Sequence, residues 1–384
     1  LQLIKRSNFY FFFLFTKIFI ILLLCLLCFL KCFIIILVNY SVEVIILTKV
    51  KNNGNTKDNT FKKKSRRIFI LILLLVFMII LLGSGTFAWF SSNKHATIES
   101  IDINVATVTG LQVSVDAINW GNEVTKEMIV NAPATYPAAM NQLPDTLSNV
   151  STAGNVTNGL LDMFYGVTSE EKDGGFTLTT FRQTEMKCTG DEECEYAKHY
   201  IAFDIFLLVT TPATIGITAN SSVVPQLDTP DQGAQNAARV GFVVEGTVGS
   251  GASAAAQALK GGTESYIWGP NYDVHTLDGV QAALHTYGIS TTQSGGARIP
   301  YKGVNAEFNT PIYIDQTDKS SYFTSVNPKV ATIKDFSANQ TIFNIPAGIS
   351  KVRVYMWLEG QDVDMENRAA GSALSYTVEL AMMN

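Results

Sequence analysis

The fold is decided by two stretches of the sequence, YIAFDIFLLV at residues 200–209 and KVRVYMWL at residues 351–358. Two more runs, RVGFVV at 239–244 and ALSYTVEL at 373–380, share their β-branched and aromatic side chains and their alternating pattern. Runs of this kind, bounded by Gly, Pro and Asn, are typical of strands in a sheet. The sequence therefore predicts a mainly β protein, an antiparallel β-sandwich or jelly roll with long loops.

Helical patterns are scarce outside the N-terminal region. Three short segments, 158–165, 253–259 and 278–287, are predicted to be helices that decorate the sheets. One or more hydrophobic N-terminal helices are expected to precede the β-rich part, because residues 9–47 and 68–82 are strongly apolar.

The charge distribution divides the chain into unlike parts. Residues 1–88 contain 12 Lys and Arg against 2 Asp and Glu, whereas residues 89–384 contain 16 against 31. An acidic domain would be repelled by nucleic acid, so nucleic acid is not expected among its partners. With 296 residues, the acidic part is long enough to bury a sizeable core.

Residues 62–88 have the layout of a secretory signal peptide. A basic block, KKKSRR at 62–67, precedes an apolar run at 68–82 and the small-residue exit GSGTFA at 83–88. Small side chains at Thr86 and Ala88 predict cleavage between Ala88 and Trp89. The alternative is a retained membrane anchor that is long enough to span. In both cases the eight Lys and Arg of residues 49–67 stay in the cytoplasm, and residues 89–384 form an extracellular β-sandwich domain.

The hydrophobic stretch at residues 1–61 allows two interpretations. The chain begins with Leu, and its first Met is Met78. Residues 1 to about 46 are therefore interpreted as upstream sequence translated in frame, with an additional membrane helix as the alternative. Cys25, Cys28 and Cys32 lie in this stretch without a usable metal-binding spacing.

Cys188 and Cys194 are the only cysteines outside the apolar stretches. An even pair in an exported chain predicts a disulfide bond that closes the polar segment TGDEE at 189–193. A redox site is not expected, because the spacing is not Cys-x-x-Cys and because nearby carboxylates would raise the pKa of a thiol.

Asp362, Asp364 and Glu366 place three carboxylates at alternating positions. Calcium takes oxygen ligands of this kind, so these residues form a candidate calcium site. The segment lacks the Gly and the distal Glu of an EF-hand loop, and the alternative is a solvent-exposed acidic turn without a cofactor.

Catalytic motifs are missing from the sequence. The four histidines stand apart, and neither His-Glu-x-x-His nor Gly-x-Ser-x-Gly nor a phosphate-binding loop occurs. The protein is therefore not expected to be an enzyme.

Two motifs carry a resemblance to a known family. GSGTFAWF at residues 83–90 resembles the signal-peptide exit of the TasA/camelysin group of Gram-positive secreted proteins, which SipW-type signal peptidases process. WLEGQD at residues 357–362 resembles the ending of related secreted bacterial proteins. The resemblance covers about 40 residues at the two ends, and the middle of this chain is longer than that of a minimal family member.

The resemblance implies a jelly-roll subunit of an extracellular fibre or biofilm matrix at a bacterial cell surface. Its expected partners are copies of itself or related matrix subunits, a signal peptidase, and the membrane through the N-terminal segment. The freed N-terminus would supply a strand to the next subunit, and the matching side chains are Ala96, Ile98, Ile101 and Ile103. The alternative is that this strand pairs within its own domain.

A second function class is an exported adhesive or ligand-binding module anchored at the membrane. Long loops and aromatic side chains expected at the surface, Trp120, Tyr266, Trp268 and Tyr272, would suit it.

Overall fold

A computed structural model describes residues 95–105, 110–170, 176–226, 233–281, 301–313, 322–326, 330–331, 339–365 and 371–383. All of them belong to the unit Gly83–Asn384. The predictions for residues 1–61 and 62–88, including the N-terminal helices, lie outside the described residues. Among the described residues, no helix is long and apolar enough to cross a membrane.

Most of the described residues are in strands, which confirms the prediction of a mainly β protein. The strands are β1 (His95–Val105), β2 (Gln112–Ser114), β3 (Glu123–Thr125), β4 (Gln142–Leu143), β5 (Thr146–Ser148), β6 (Val156–Thr157), β7 (Leu160–Leu161), β8 (Phe164–Glu170), β9 (Phe176–Arg182), β10 (Cys188–Thr189), β11 (Tyr200–Val209), β12 (Ala213–Ile217), β13 (Ser222–Pro225), β14 (Ala238–Val248), β15 (Ser265–Gly269), β16 (Tyr301–Val304), β17 (Phe308–Tyr313), β18 (Phe323–Val326), β19 (Val330–Ala331), β20 (Gln340–Ile345), β21 (Gly348–Leu358) and β22 (Ala373–Met383).

The described helices are short. They are α1 (Lys126–Asn131), a 3-10 turn (Ala132–Ala134), α2 (Gly190–Glu193), α3 (Ala234–Ala237) and α4 (Ser253–Gln257). The helix predicted at 253–259 is confirmed as α4, and residues 277–281 are helical within the segment predicted at 278–287.

The helix predicted at 158–165 is wrong. The segment contains β7 and the start of β8, and the pairing of Thr157 with Leu160 leaves a two-residue hairpin loop, Asn158–Gly159. Both loop residues have positive φ, 53° and 80°. Asn-Gly is the pair that two-residue hairpin loops favour, and this local preference outweighs the weak helical periodicity of the segment.

Two large sheets share one apolar core. The seven-stranded sheet has the order β20-β12-β22-β1-β3, with β13 beside β22 and β5 beside β1. The eight-stranded sheet has the order β10-β4-β11-β21-β14-β15-β19, with β2 beside β11. Alternate residues of both sheets meet in the core, for example Ile103, Tyr376 and Val378 from the first and Phe203 and Val354 from the second.

The pairing is mixed and departs in part from the antiparallel expectation. β1 runs parallel to β22, β4 to β10, and β15 to β19. Sequence alternation indicates which side chains share a face of the sheet but not the direction of the neighbouring strand, so it could not reveal these pairs.

The other face of the eight-stranded sheet is covered as well. Tyr200, Tyr355 and Trp357 on that face pack against apolar residues of β7, β16, β18 and the connecting segments. At the far end, Phe206 and Ile349 pack against Tyr136. As a result, every residue of β21 is buried, although its sequence alternates.

Truncation of a core side chain is expected to destabilise the domain strongly. Replacing Phe203, which is fully buried between the sheets, with Ala should lower the free energy of unfolding by about 3–5 kcal/mol, because it leaves a cavity. Urea denaturation measures this change. Val224→Ala on exposed β13 is the matched control, with an expected cost below about 1 kcal/mol. Equal costs for the two variants would contradict the placement of the core.

Candidate functional site

The N-terminal strand β1 lies in the interior of the seven-stranded sheet. One side pairs with β22 over Thr97–Val105, and the other side pairs with β5 near its start and with β3 near its end. We call the channel between these neighbours the strand slot. The predicted donor strand thus occupies a slot within its own domain.

The four predicted donor side chains all face the core. Ala96, Ile98, Ile101 and Ile103 are each at most 2% exposed. A spacing of three between Ile98 and Ile101 would place them on opposite faces of a regular strand, but the register against β22 shifts between Ile98 and Ser100. This bulge keeps both isoleucines on the buried face.

Backbone hydrogen bonds hold both edges of β1 near its start. Thr97 N donates to Ser372 O at 2.8 Å, and Ile98 N donates to Asp145 O at 2.8 Å. The predicted cleavage site, Ala88 and Trp89, lies outside the described residues.

The predicted disulfide bond between Cys188 and Cys194 is confirmed. It closes β10 onto the single turn of α2, and both cysteines are buried. The position differs from a simple hairpin, since β10 pairs in parallel with β4 and so joins this loop to the eight-stranded sheet.

Two of the three predicted calcium ligands are described, and both bind protein groups. Asp362 forms an ion pair with Arg239, which is fully buried. Asp364 Oδ2 lies 2.8 Å from His275 Nδ1, and its Oδ1 accepts a hydrogen bond from Thr276 N at 2.7 Å. Both carboxylates are buried, so the alternative of a solvent-exposed acidic turn is wrong for them.

The remaining predicted ligand, Glu366, lies outside the described residues. Within the part of the chain that the structure describes, no group of three or more His, Cys, Asp or Glu side chains is arranged to hold a metal ion. Calcium binding stays a prediction.

A second buried ionic cluster lies at the far end of the same sheet face. Arg353 donates to Asp204 Oδ1 at 2.8 Å and pairs with Glu185, while Lys351 Nζ lies 3.2 Å from Asp204 Oδ2. Tyr136 donates to the same Asp204 oxygen at 2.9 Å. Two cations therefore face two carboxylates, and the cluster carries no net charge.

The electrostatics of this cluster favour fixed charges. Burial by itself would raise the pKa of Asp204, but the charges of Arg353 and Lys351 outweigh it and hold that pKa below its ordinary value. Burial likewise opposes the charge of Arg353, yet Asp204 and Glu185 hold the pKa of the guanidinium well above its usual range. Both shifts favour the charged forms of Asp204 and Arg353, so this pair is held as an ion pair inside the protein.

Sequence reasoning missed this cluster, although a signal was present. Asp204 interrupts the apolar run of β11, and Arg353 interrupts that of β21. The two residues are direct cross-strand partners in the structure. A lone carboxylate in one buried strand and two cations, Lys351 and Arg353, in the other could have predicted the cluster.

Glu359 is a fully buried carboxylate directly after β21. It accepts hydrogen bonds from Trp357 Nε1 and from Gln361 N, both at 3.1 Å. Burial raises its pKa from 4.5 to about 7, and these hydrogen bonds together with the charge of Arg239 only partly oppose the shift.

The aromatic side chains assigned to an adhesive surface are mostly not at the surface. Trp268 and Tyr272 are buried, and Tyr266 packs against the core beside Phe343. The prediction of surface exposure is wrong for Trp268 and Tyr272, because the strand pattern around Trp268 could not show that both faces of its sheet are covered. Tyr266 and Trp120 are half-buried.

Comparison of the chain with protein-family models, with curated proteins and with solved structures finds no significant match.

Replacing Glu359 with Gln is expected to flatten the pH dependence of stability. The folded state holds the Glu359 proton up to about pH 7, whereas the unfolded state releases it near pH 4.5. The stabilisation is therefore complete below pH 4.5 and is lost as the pH rises through 7, a change on the order of 3 kcal/mol. Urea denaturation at pH 5 and pH 8 should show the wild-type protein losing more stability than Glu359→Gln. An equal loss in both proteins would contradict the assignment.

Proposed function

We propose that the protein is an exported structural subunit that assembles at the bacterial surface by exchanging its N-terminal strand. One observation carries the proposal: β1 lies at the N-terminal side of every other described element, yet it fills a central slot of a large sheet. Cleavage after Ala88 would leave this strand on a short free end that can leave one slot and enter another.

The energetics of exchange favour this mechanism. Each buried isoleucine of β1 contributes roughly 1.5–3 kcal/mol, and it makes the same contacts in its own slot as in that of a second copy. The main-chain hydrogen bonds to β22 and β5 are likewise reproduced. Exchange therefore costs little at equilibrium, and intermolecular pairing becomes favourable at high protein concentration.

The geometry of exchange leads to linear growth. A copy that donates its strand to a second copy has an empty slot of its own, which a third copy can fill. Such head-to-tail contacts do not close on themselves unless the rotation between copies does, so they generate filaments.

Two further observations support an exported structural protein. The Cys188–Cys194 disulfide is suited to an oxidising environment outside the cytoplasm. The ionic groups around Asp204 are buried and paired with one another, so they tie the segments that cover the sheet to its central strands.

N-terminal sequencing of protein recovered from the culture medium tests the export step. The expected first residue is Trp89, because Thr86 and Ala88 offer the small side chains that a signal peptidase accepts. Protein found only in the cell, or still joined to residues 62–88, would contradict the release of a free strand.

A covalent lock on β1 tests the assembly step. Asp102 and Thr377 are direct partners across β1 and β22, so replacing both with Cys should allow a disulfide bond that holds β1 in its own slot. We expect the cross-linked protein to remain monomeric in sedimentation and to form no filaments in electron micrographs.

The matched control replaces the same two residues with Ser, which cannot cross-link, and it should form filaments as the wild-type protein does. Filaments grown from fully cross-linked monomers would overturn strand exchange. If neither the control nor the wild-type protein forms filaments and the monomer binds glycans, the protein is an adhesive module instead.

A further inference from the structure

One wall of the strand slot depends on the disulfide-closed loop. Asp191 lies in α2, between Cys188 and Cys194. Its Oδ1 accepts hydrogen bonds from Asp145 N and Thr146 N, both at 3.0 Å, and its Oδ2 accepts one from Thr146 Oγ1 at 2.9 Å. One side chain thus fixes the first residues of β5.

The same two residues, Asp145 and Thr146, hold β1, and together with the rest of β5 they form what we call the β5 wall of the strand slot. Asp145 O accepts the hydrogen bond of Ile98 N at 2.8 Å, and Thr146 is the cross-strand partner of Thr97. The disulfide-closed loop therefore contacts Asp145 and Thr146 through Asp191, and Asp145 and Thr146 in turn contact β1.

Among the described residues, the loop is otherwise held by the short pairing of β10 with β4 and by a small apolar cluster of Cys188, Cys194 and Ala197. β10 has only two residues, and α2 is a single turn. Glu193 accepts hydrogen bonds from Thr189 N and Oγ1 within the loop, and the Cys188 N–H donates to Asn141 O at 3.0 Å. A loop with so few anchors needs its covalent closure to hold Asp191 at the fixed position that the β5 wall requires.

We propose that the loop 188–194 is a redox-sensitive latch on the strand slot, which keeps β1 in place while the disulfide is intact. This inference rests on the proposed function and names the device that regulates it. Because both cysteines are buried, reduction requires the loop to open locally. A dithiol reductant then transfers two electrons and two protons to the disulfide, giving the thiols of Cys188 and Cys194, while the reductant itself forms a disulfide. Asp191 then loses its fixed position, the start of β5 separates from β1, and the strand is released more often.

Hydrogen exchange on the full-length protein in detergent micelles tests the latch without any need for filaments. Reduction with dithiothreitol should accelerate amide exchange in residues 95–105 by about tenfold, because the hydrogen bonds of the β5 wall are lost. Peptides from residues 239–244 and 351–358 should keep their exchange rates, since their strands, β14 and β21, pair with neither β10 nor β4. Equal acceleration in those peptides would indicate general destabilisation and would overturn the latch.

Two substitutions in the same loop test whether Asp191 is the residue that holds the β5 wall in place. Asp191→Ala should reproduce the effect of reduction in the oxidised protein, and reduction of this variant should add little, because both changes act through one contact. Glu192→Ala removes the same charge from an exposed neighbour and should leave exchange in residues 95–105 unchanged. Unchanged exchange in oxidised Asp191→Ala, or equal effects of the two substitutions, would overturn the latch.

The latch and the assembly proposal fail in different ways. If the latch exists but the protein does not assemble, reduction accelerates amide exchange in residues 95–105, and exported wild-type protein forms no filaments. Assembly without a latch gives filaments whose growth rate is the same for the wild-type protein and Asp191→Ala, with no exchange response. With both, Asp191→Ala forms filaments faster than the wild-type protein and Glu192→Ala does not.

Discussion

The burial of the eight-stranded sheet on both faces is the constraint on which the rest of the structure depends. One face meets the seven-stranded sheet, and the other is covered by short strands and connecting segments. Any charge on the central strands must then find a partner inside the protein, because water cannot reach it. Arg353, Lys351 and Arg239 are all buried, and each is paired with a carboxylate.

This constraint explains why segments outside the two sheets supply polar side chains to the charged groups of the central strands. Tyr136, from the loop after α1, reaches the Asp204 carboxylate. Asp362, after β21, reaches Arg239. Removing one member of such a pair leaves a buried charge unsatisfied, which costs far more than the pair itself contributes. The segments that cover the eight-stranded sheet are therefore held to it by ion pairs and hydrogen bonds to its buried charges as well as by apolar packing.

The seven-stranded sheet is built differently, and this difference bears on function. Its strand β1 carries apolar side chains toward the core and is held at its edges by main-chain hydrogen bonds. Contacts of this kind can be made equally well by the same strand of another copy. The eight-stranded sheet carries the buried ionic pairs, while the seven-stranded sheet contains β1, the first strand of the described residues.

The sequence by itself determined the strand-rich class, the main strands and the disulfide, because alternation, β-branched residues and a close cysteine pair are local properties. Asn158–Gly159 is an equally local hairpin signal, and it outweighs the weak helical pattern of the same segment. Only the tertiary structure decided the parallel pairing of β1 with β22, the burial of Asp362 and Asp364, and the contact of Asp191 with the β5 wall. These features join residues that are distant in the chain, and no local pattern records which distant partner a strand or a carboxylate meets.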